Sequence, residues 1–151
     1  MGNAENKSTV LIVDDVVTNI DVLNAILKEL YEVKIALNGV KALEIAAMEP
    51  HPDLILLDVM MPEMNGYEVC KKLKSDPSTS DIPVLFVTAL DESQFEVQGF
   101  DVGGVDYITK PVVPEIVLAR VKTHIELKEV KDKLVEYAQR MENMLDAKLD
   151  I

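Results

Sequence analysis

An open α/β fold, five βα units on a parallel sheet, is what this sequence predicts, and three features predict it. Short apolar runs alternate with longer segments of helical period, as in chains whose helices cover a parallel sheet. The runs Val10–Val13, Leu54–Leu57 and Val84–Val87 contain no polar residue, which implies strands buried on both faces. Several runs end in a carboxylate or a hydroxyl at the strand's carboxyl end, where ligands bind in such sheets.

The elements follow in order. The first strand is Val10–Val13 and runs into Asp14 and Asp15. Ile20, Leu23, Ile26, Leu27 and Leu30 then recur at steps of three and four, which places them on one face of a helix. The second strand is Glu32–Leu37, and Asn38-Gly39 turns the chain into a helix carrying Val40, Leu43 and Ala47, ended by Pro50 and Pro52. The third strand is Leu54–Asp58; Asn65-Gly66 opens a helix through Tyr67, Val69, Cys70 and Leu73, closed by Asp76-Pro77-Ser78. Strand four is Pro83–Thr88, a fourth helix is predicted over Asp91–Phe100, and strand five is Val105–Thr109. From Pro114 no proline or glycine interrupts the chain as far as Leu149, so one last helix of roughly 54 Å is predicted at about 1.5 Å per residue.

Composition excludes some partners. At 151 residues the chain suits one well-packed domain. A net charge of −12 with no concentrated basic patch argues against nucleic acid or an anionic membrane. The single cysteine, Cys70, forms no internal disulfide and suits a reducing compartment. No signal-peptide core and no apolar span of about 20 residues stands in the sequence, so the expectation is a soluble, cytoplasmic protein.

The strand ends carry the chemistry. Asp14 and Asp15 end strand one, Asp58 strand three, Thr88 strand four, and strand five runs into Lys110-Pro111, all on one edge of a parallel sheet. Carboxylates crowded there raise one another's pKa unless a cation neutralises them. A hard divalent ion such as Mg²⁺ meets that demand with oxygen ligands, and Lys110 adds a further positive charge. Such a site suits a phosphoryl group whose oxygens are held by metal, ammonium and hydroxyl while a carboxylate oxygen attacks phosphorus in line.

Asp14-Asp15, Asp58-Val-Met-Met-Pro62 with Gly66, Thr88-Ala89 and Lys110-Pro111 stand in the order and on the strand ends of a known pattern. The chain resembles the receiver domain of the bacterial two-component response-regulator family over roughly Thr9 to Thr123. The resemblance implies a flavodoxin-like fold of strand order 2-1-3-4-5 and a phosphoaspartate taken from a histidine kinase or phosphotransfer protein. By the same resemblance Asp58 is the phosphoacceptor, Asp14 and Asp15 hold Mg²⁺ directly or through water, and the backbone carbonyl of Met60 is a further metal ligand. Thr88 and Lys110 are then the hydroxyl and ammonium that grip the phosphoryl oxygens. The family also implies a switch: Thr88 moves inward on phosphorylation, Tyr107 turns into the vacated space, and the face of helix four, strand five and helix five changes shape. Pro111 is expected after a cis peptide bond that aims Lys110 at the site.

Other residues have plainer expectations. Met60 and Leu90, two residues after Asp58 and Thr88, are apolar and cannot orient water, so slow self-dephosphorylation is expected. His51 and His124 have no evident partner carboxylate or second ligand and are read as structural or solvated; Cys70 is read as helix packing. Asn19 matches a pattern of some receiver subfamilies and otherwise reads as a polar helix position. Asn65 replaces an aspartate common in the family, which alters only the turn.

The domain organisation expected is a disordered tail over 1–8, the receiver over 9–123, and a helical extension over 124–151. Leu127, Val130, Leu134, Tyr137, Met141 and Met144 recur at steps of three and four, the pattern of a heptad seam, with Lys148 at the next position. A homodimer through this helix is expected, with a missing output domain downstream. Two other readings are open. A haloacid-dehalogenase-type phosphatase also uses an aspartyl nucleophile and Mg²⁺ but needs Asp-x-Asp, and both Asp14-Asp15-Val16 and Asp58-Val59-Met60 fail that test. A phosphorylation-independent scaffold that dimerises through its tail is the third.

Overall fold

The computed structural model describes residues 7–89 and 98–149. Five strands, β1 (Thr9–Val13), β2 (Glu32–Ala36), β3 (Leu54–Asp58), β4 (Val84–Thr88) and β5 (Asp106–Thr109), form one sheet of order β2-β1-β3-β4-β5. Every pairing is parallel. Among the described residues the helices are α1 (Val17–Leu27), α2 (Gly39–Ala47), α3 (Gly66–Ser75) and the long α4 (Pro114–Leu149). The flavodoxin-like architecture and the strand order are those expected. The fourth helix expected over Asp91–Phe100 falls mostly on residues 91–97, outside the described residues.

The alternation of side chains across the sheet explains why the central strands are apolar throughout. Leu11, Val13, Ile55, Leu57, Val84 and Phe86 point to one face, where they meet Ala42, Ala46, Val69, Cys70 and Leu73 of α2 and α3. Val10, Ile12, Leu54, Leu56, Leu85 and Val87 point to the other, against Ile20, Leu23 and Leu27 of α1 and Val117, Val121 and Ile125 of α4. Each of β1, β3 and β4 is buried along its whole length, while the edge strand β2 is not. Two helix faces differ from the expectation. Helix α1 stops at Leu27, so Leu30 lies beyond it, 61% exposed. Helix α2 buries Gly39, Ala42 and Ala46, and leaves Val40 and Ala47 exposed. Close packing on α3 accounts for this, since a Cβ on Gly39 would stand 2.8 Å from Val69 Cγ2 and 2.9 Å from Met64 Sδ. Small residues therefore face the neighbour, and apolar periodicity misses them.

The joins set the carboxyl edge. Asn65 caps α3 through a capping box with Glu68, each side chain bonded to the other's backbone N–H. Gly66 lies against the end of β3: a Cβ there would sit 2.2 Å from the Asp58 carbonyl oxygen and 2.9 Å from Val59 Cα. Only glycine lets α3 start this close behind Asp58.

Candidate functional site

The sheet brings Asp14, Asp15, Asp58, Thr88 and Lys110 to one edge. Val13 and Leu57 are neighbours in the β1–β3 register, so the residues after them emerge side by side. Asp14 and Asp58 are buried, at 1% and 4% exposure, and Thr88 is fully buried; Asp15 is exposed. One carboxylate oxygen from each of Asp14, Asp15 and Asp58 lies within 4.8 Å of the others. Lys110 reaches in from the end of β5, with Nζ 3.1 Å from Asp14 Oδ2 and 3.5 Å from Asp58 Oδ1. Its own backbone N–H donates to the Thr88 carbonyl at 2.9 Å, which ties the β5 end to the β4 end. The Lys110–Pro111 peptide bond is cis, as expected.

Burial pushes the Asp58 carboxyl above its ordinary range. The Lys110 ammonium opposes that rise, the Asp14 charge adds to it, and the Met60 N–H, 3.3 Å from Asp58 Oδ1, opposes it. Asp14 Oδ1 in turn accepts from the Val16 N–H at 2.9 Å. The arrangement is an acidic pocket with one ammonium across two of its carboxylates. Such an oxygen donor set fits a hard divalent cation.

Above this edge, Met60 is 65% exposed. Leu90 lies outside the described residues. Asn19 lines a shallow cleft with Val22, Leu23, Val87 and Lys110. His51 Nδ1 lies 2.7 Å from the Ala46 carbonyl oxygen, a local link at the end of α2. Cys70 packs in the core and donates to the Val102 carbonyl at 3.4 Å.

The expectation for both histidines needs correction: His51 Nε2 stands 3.9 Å from Glu49 Oε1, and His124 is held more closely. Its Nε2 lies 3.0 Å from Asp106 Oδ2, so it does have a partner carboxylate. Arg120, one turn earlier on α4, approaches the same Asp106 oxygen at 3.9 Å. The Arg120 guanidinium also stands 5.8 Å from the centre of the Tyr107 ring and donates to the Tyr107 carbonyl oxygen. Asp106, Arg120 and His124 thus join β5 to α4 beside the tyrosine. Arg120 and His124 follow Asp106 by 14 and 18 residues, and no local spacing announced the contact.

A family model described as the response regulator receiver domain matches residues 10–122. The chain belongs to the receiver domain family. A probable cyclic di-GMP phosphodiesterase of Vibrio cholerae is 43% identical to this receiver over 137 residues, covering 91% of this chain and 31% of that protein. The response regulator PleD of Caulobacter vibrioides is 47% identical over 129 residues, covering 85% of this chain and 28% of that protein. The chain therefore spans less than a third of the length of either relative. A putative response regulator from Chloroflexus aurantiacus has a solved structure similar to this receiver, with a TM-score of 0.75 and 35% identity. That likeness covers 80% of this chain and 98% of the other. The receiver is a module of two-component response regulators. Among its described residues no helix is long and apolar enough to cross a membrane.

Proposed function

We propose that Asp58 accepts a phosphoryl group from a histidine kinase or phosphotransfer protein, and that the resulting change is read through β5 onto α4. The observation that carries this reading is the Lys110 ammonium set across Asp14 and Asp58 at the carboxyl edge of the sheet. An Asp58 oxygen attacks the donor phosphorus; the new O–P bond forms as the bond to the donor's leaving group breaks. Lys110 and the Thr88 hydroxyl hold the phosphoryl oxygens, in a pocket where burial strengthens each charge contact. Mg²⁺ held by Asp14, Asp15, Asp58 and the Met60 carbonyl would neutralise the phosphoryl oxygens as their charge builds.

The switch runs through the neighbouring strands β4 and β5 and on to α4. Inward movement of Thr88 opens space beside β5 that Tyr107 enters. Arg120 holds both the carbonyl and the ring face of Tyr107, so that rotation is felt on α4. The receiver unit is read as 9–123 and the helical extension as 124–151, with the signal crossing between them inside one continuous helix. The module signals as a phosphoacceptor, assisting its own phosphotransfer rather than turning over a substrate, in the cytoplasm where its kinase works.

Incubation with acetyl phosphate and Mg²⁺, followed by intact-mass analysis and peptide mapping, tests this. The expected result is one phosphoryl adduct on Asp58, lost in Asp58→Asn. Continuous release of phosphate without an adduct would instead mark a phosphatase, and no adduct under any condition would mark a scaffold.

A further inference from the structure

We infer that the exposed stripe of α4 is the seam of a parallel, in-register, two-stranded coiled coil made with a second copy of this chain. The proposal goes beyond the phosphoacceptor reading and does not depend on it. Leu127, Val130, Leu134, Tyr137, Met141 and Met144 are each 43% to 64% exposed, a periodic run of large apolar side chains along a helix whose other exposed residues are mostly charged or polar, with Val135, Leu145 and Leu149 the apolar ones outside the run. Isolated exposed apolar residues are ordinary, but six in heptad register are a face. The stripe from Val130 onward lies beyond the cleft that Leu127, Lys128 and Lys131 still line with Lys74, Asp81 and Val105 of the domain. From buried Val121 to exposed Val130 is about two and a half helical turns, so a partner helix can lie along the seam without displacing Val117, Val121 or Ile125 from the sheet.

Charge decides the occupant and its direction. The spacing puts Leu127, Leu134 and Met141 at a and Val130, Tyr137 and Met144 at d. Glu126, Lys133 and Arg140 then fall at g, and Lys131, Ala138 and Leu145 at e. In a parallel pair each g side chain faces the following e of the other helix. Glu126 meets the partner's Lys131, while Lys133 and Arg140 meet the partner's Ala138 and the partner's Leu145, so no like charges face each other. In an antiparallel pair over the same stretch g faces g, and Lys133 would meet the partner's Arg140 twice over. Cations at e and g also disfavour higher bundles, which bury those positions, although Leu at a and Val at d would otherwise suit them. The Lys128–Asp132 and Glu136–Arg140 ion pairs run along the helix and leave the seam clear.

Three measurements on the whole chain decide the proposal. Sedimentation is expected to show a concentration-dependent monomer–dimer equilibrium that Leu134→Asp abolishes. Lys131→Glu sets Glu126 against a carboxylate and should raise the dimer dissociation constant about tenfold, with Glu126→Lys in the same chain restoring it. Met144→Cys alone should form an intermolecular disulfide under mild oxidation, whereas a mixture of Leu127→Cys and Met144→Cys should give no mixed product. Cys70 is silent in this test because it is buried. A monomer throughout the micromolar range, a dimer indifferent to Leu134→Asp, a trimer or tetramer, or a mixed 127–144 cross-link would each overturn the proposal.

Discussion

Asp58 is a buried carboxylate held between opposing influences: burial and Asp14 push its pKa up, and Lys110 with the Met60 N–H pulls it down. Removing the ammonium leaves Asp14 and Asp58 facing each other across the pocket, without the donor that would meet the incoming phosphoryl oxygens. Lys110→Ala should therefore slow acyl-phosphate formation on Asp58 by about 10²-fold, measured as the initial rate with acetyl phosphate. Met60 offers the opposite kind of test. Its apolar, exposed side chain cannot order an attacking water, so the wild-type phosphoryl group should persist for minutes or longer, on the order of a slow hydrolysis barrier. Met60→Asn should shorten that lifetime, followed as the decay of the adduct after the phosphodonor is removed. Cys70 serves as a control on the core: burial pushes its thiol up to about 11, so alkylation at neutral pH should be undetectable in the native protein and prompt after unfolding. Asp14, Asp15, Asp58 and Thr88 were legible because they close apolar strands, and Lys110 because it stands before Pro111 at the end of β5; in a parallel sheet strand ends converge. Asp106, Arg120 and His124 were not, because their contact is made by α4 packing across β5 rather than by any local pattern.

At the scale of elements, glycine and the helix cap hold the loop after Asp58 in place. A Cβ on Gly66 meets the Asp58 carbonyl oxygen at 2.2 Å, backbone against which no side chain can yield. Gly66→Ala is expected to cost at least about 1–3 kcal/mol in denaturant unfolding and to lower the phosphorylation rate, because α3 can recede only by moving the end of β3. Asn65→Ala removes the capping box and should cost about 1 kcal/mol, with little effect on phosphorylation. Asn65 thus acts in the turn, as its place before Gly66 suggested. The strands were legible almost to the residue because β1, β3 and β4 are buried on both faces and read as unbroken apolar runs. Of the residues read on α2, Leu43 packs against the core while Val40 and Ala47 are exposed, because close packing selects Gly39, Ala42 and Ala46, and hydrophobic periodicity gives small residues no weight. Leu30 was assigned to a helix that ends a turn earlier, at Leu27.

On the scale of the molecule, a short path joins the carboxyl edge of the sheet to the long helix: Lys110 to the Thr88 carbonyl, then along β5 to Tyr107, and from Tyr107 to Arg120 on α4. The same helix packs on the sheet through Val117, Val121 and Ile125 and then leaves the domain with its apolar stripe exposed. Arg120→Ala should therefore leave phosphorylation of Asp58 intact while reducing the change that reaches the helix. The central claim, that a phosphoryl group on Asp58 is read at α4, is tested most directly by NMR of the whole chain titrated with beryllofluoride and Mg²⁺. The predicted result is that the resonances of Thr88, Tyr107 and Arg120 shift together and saturate with the ligand, and that none of them moves in Asp58→Asn. Saturable binding at Asp58 that left Thr88 and Tyr107 unmoved would contradict it.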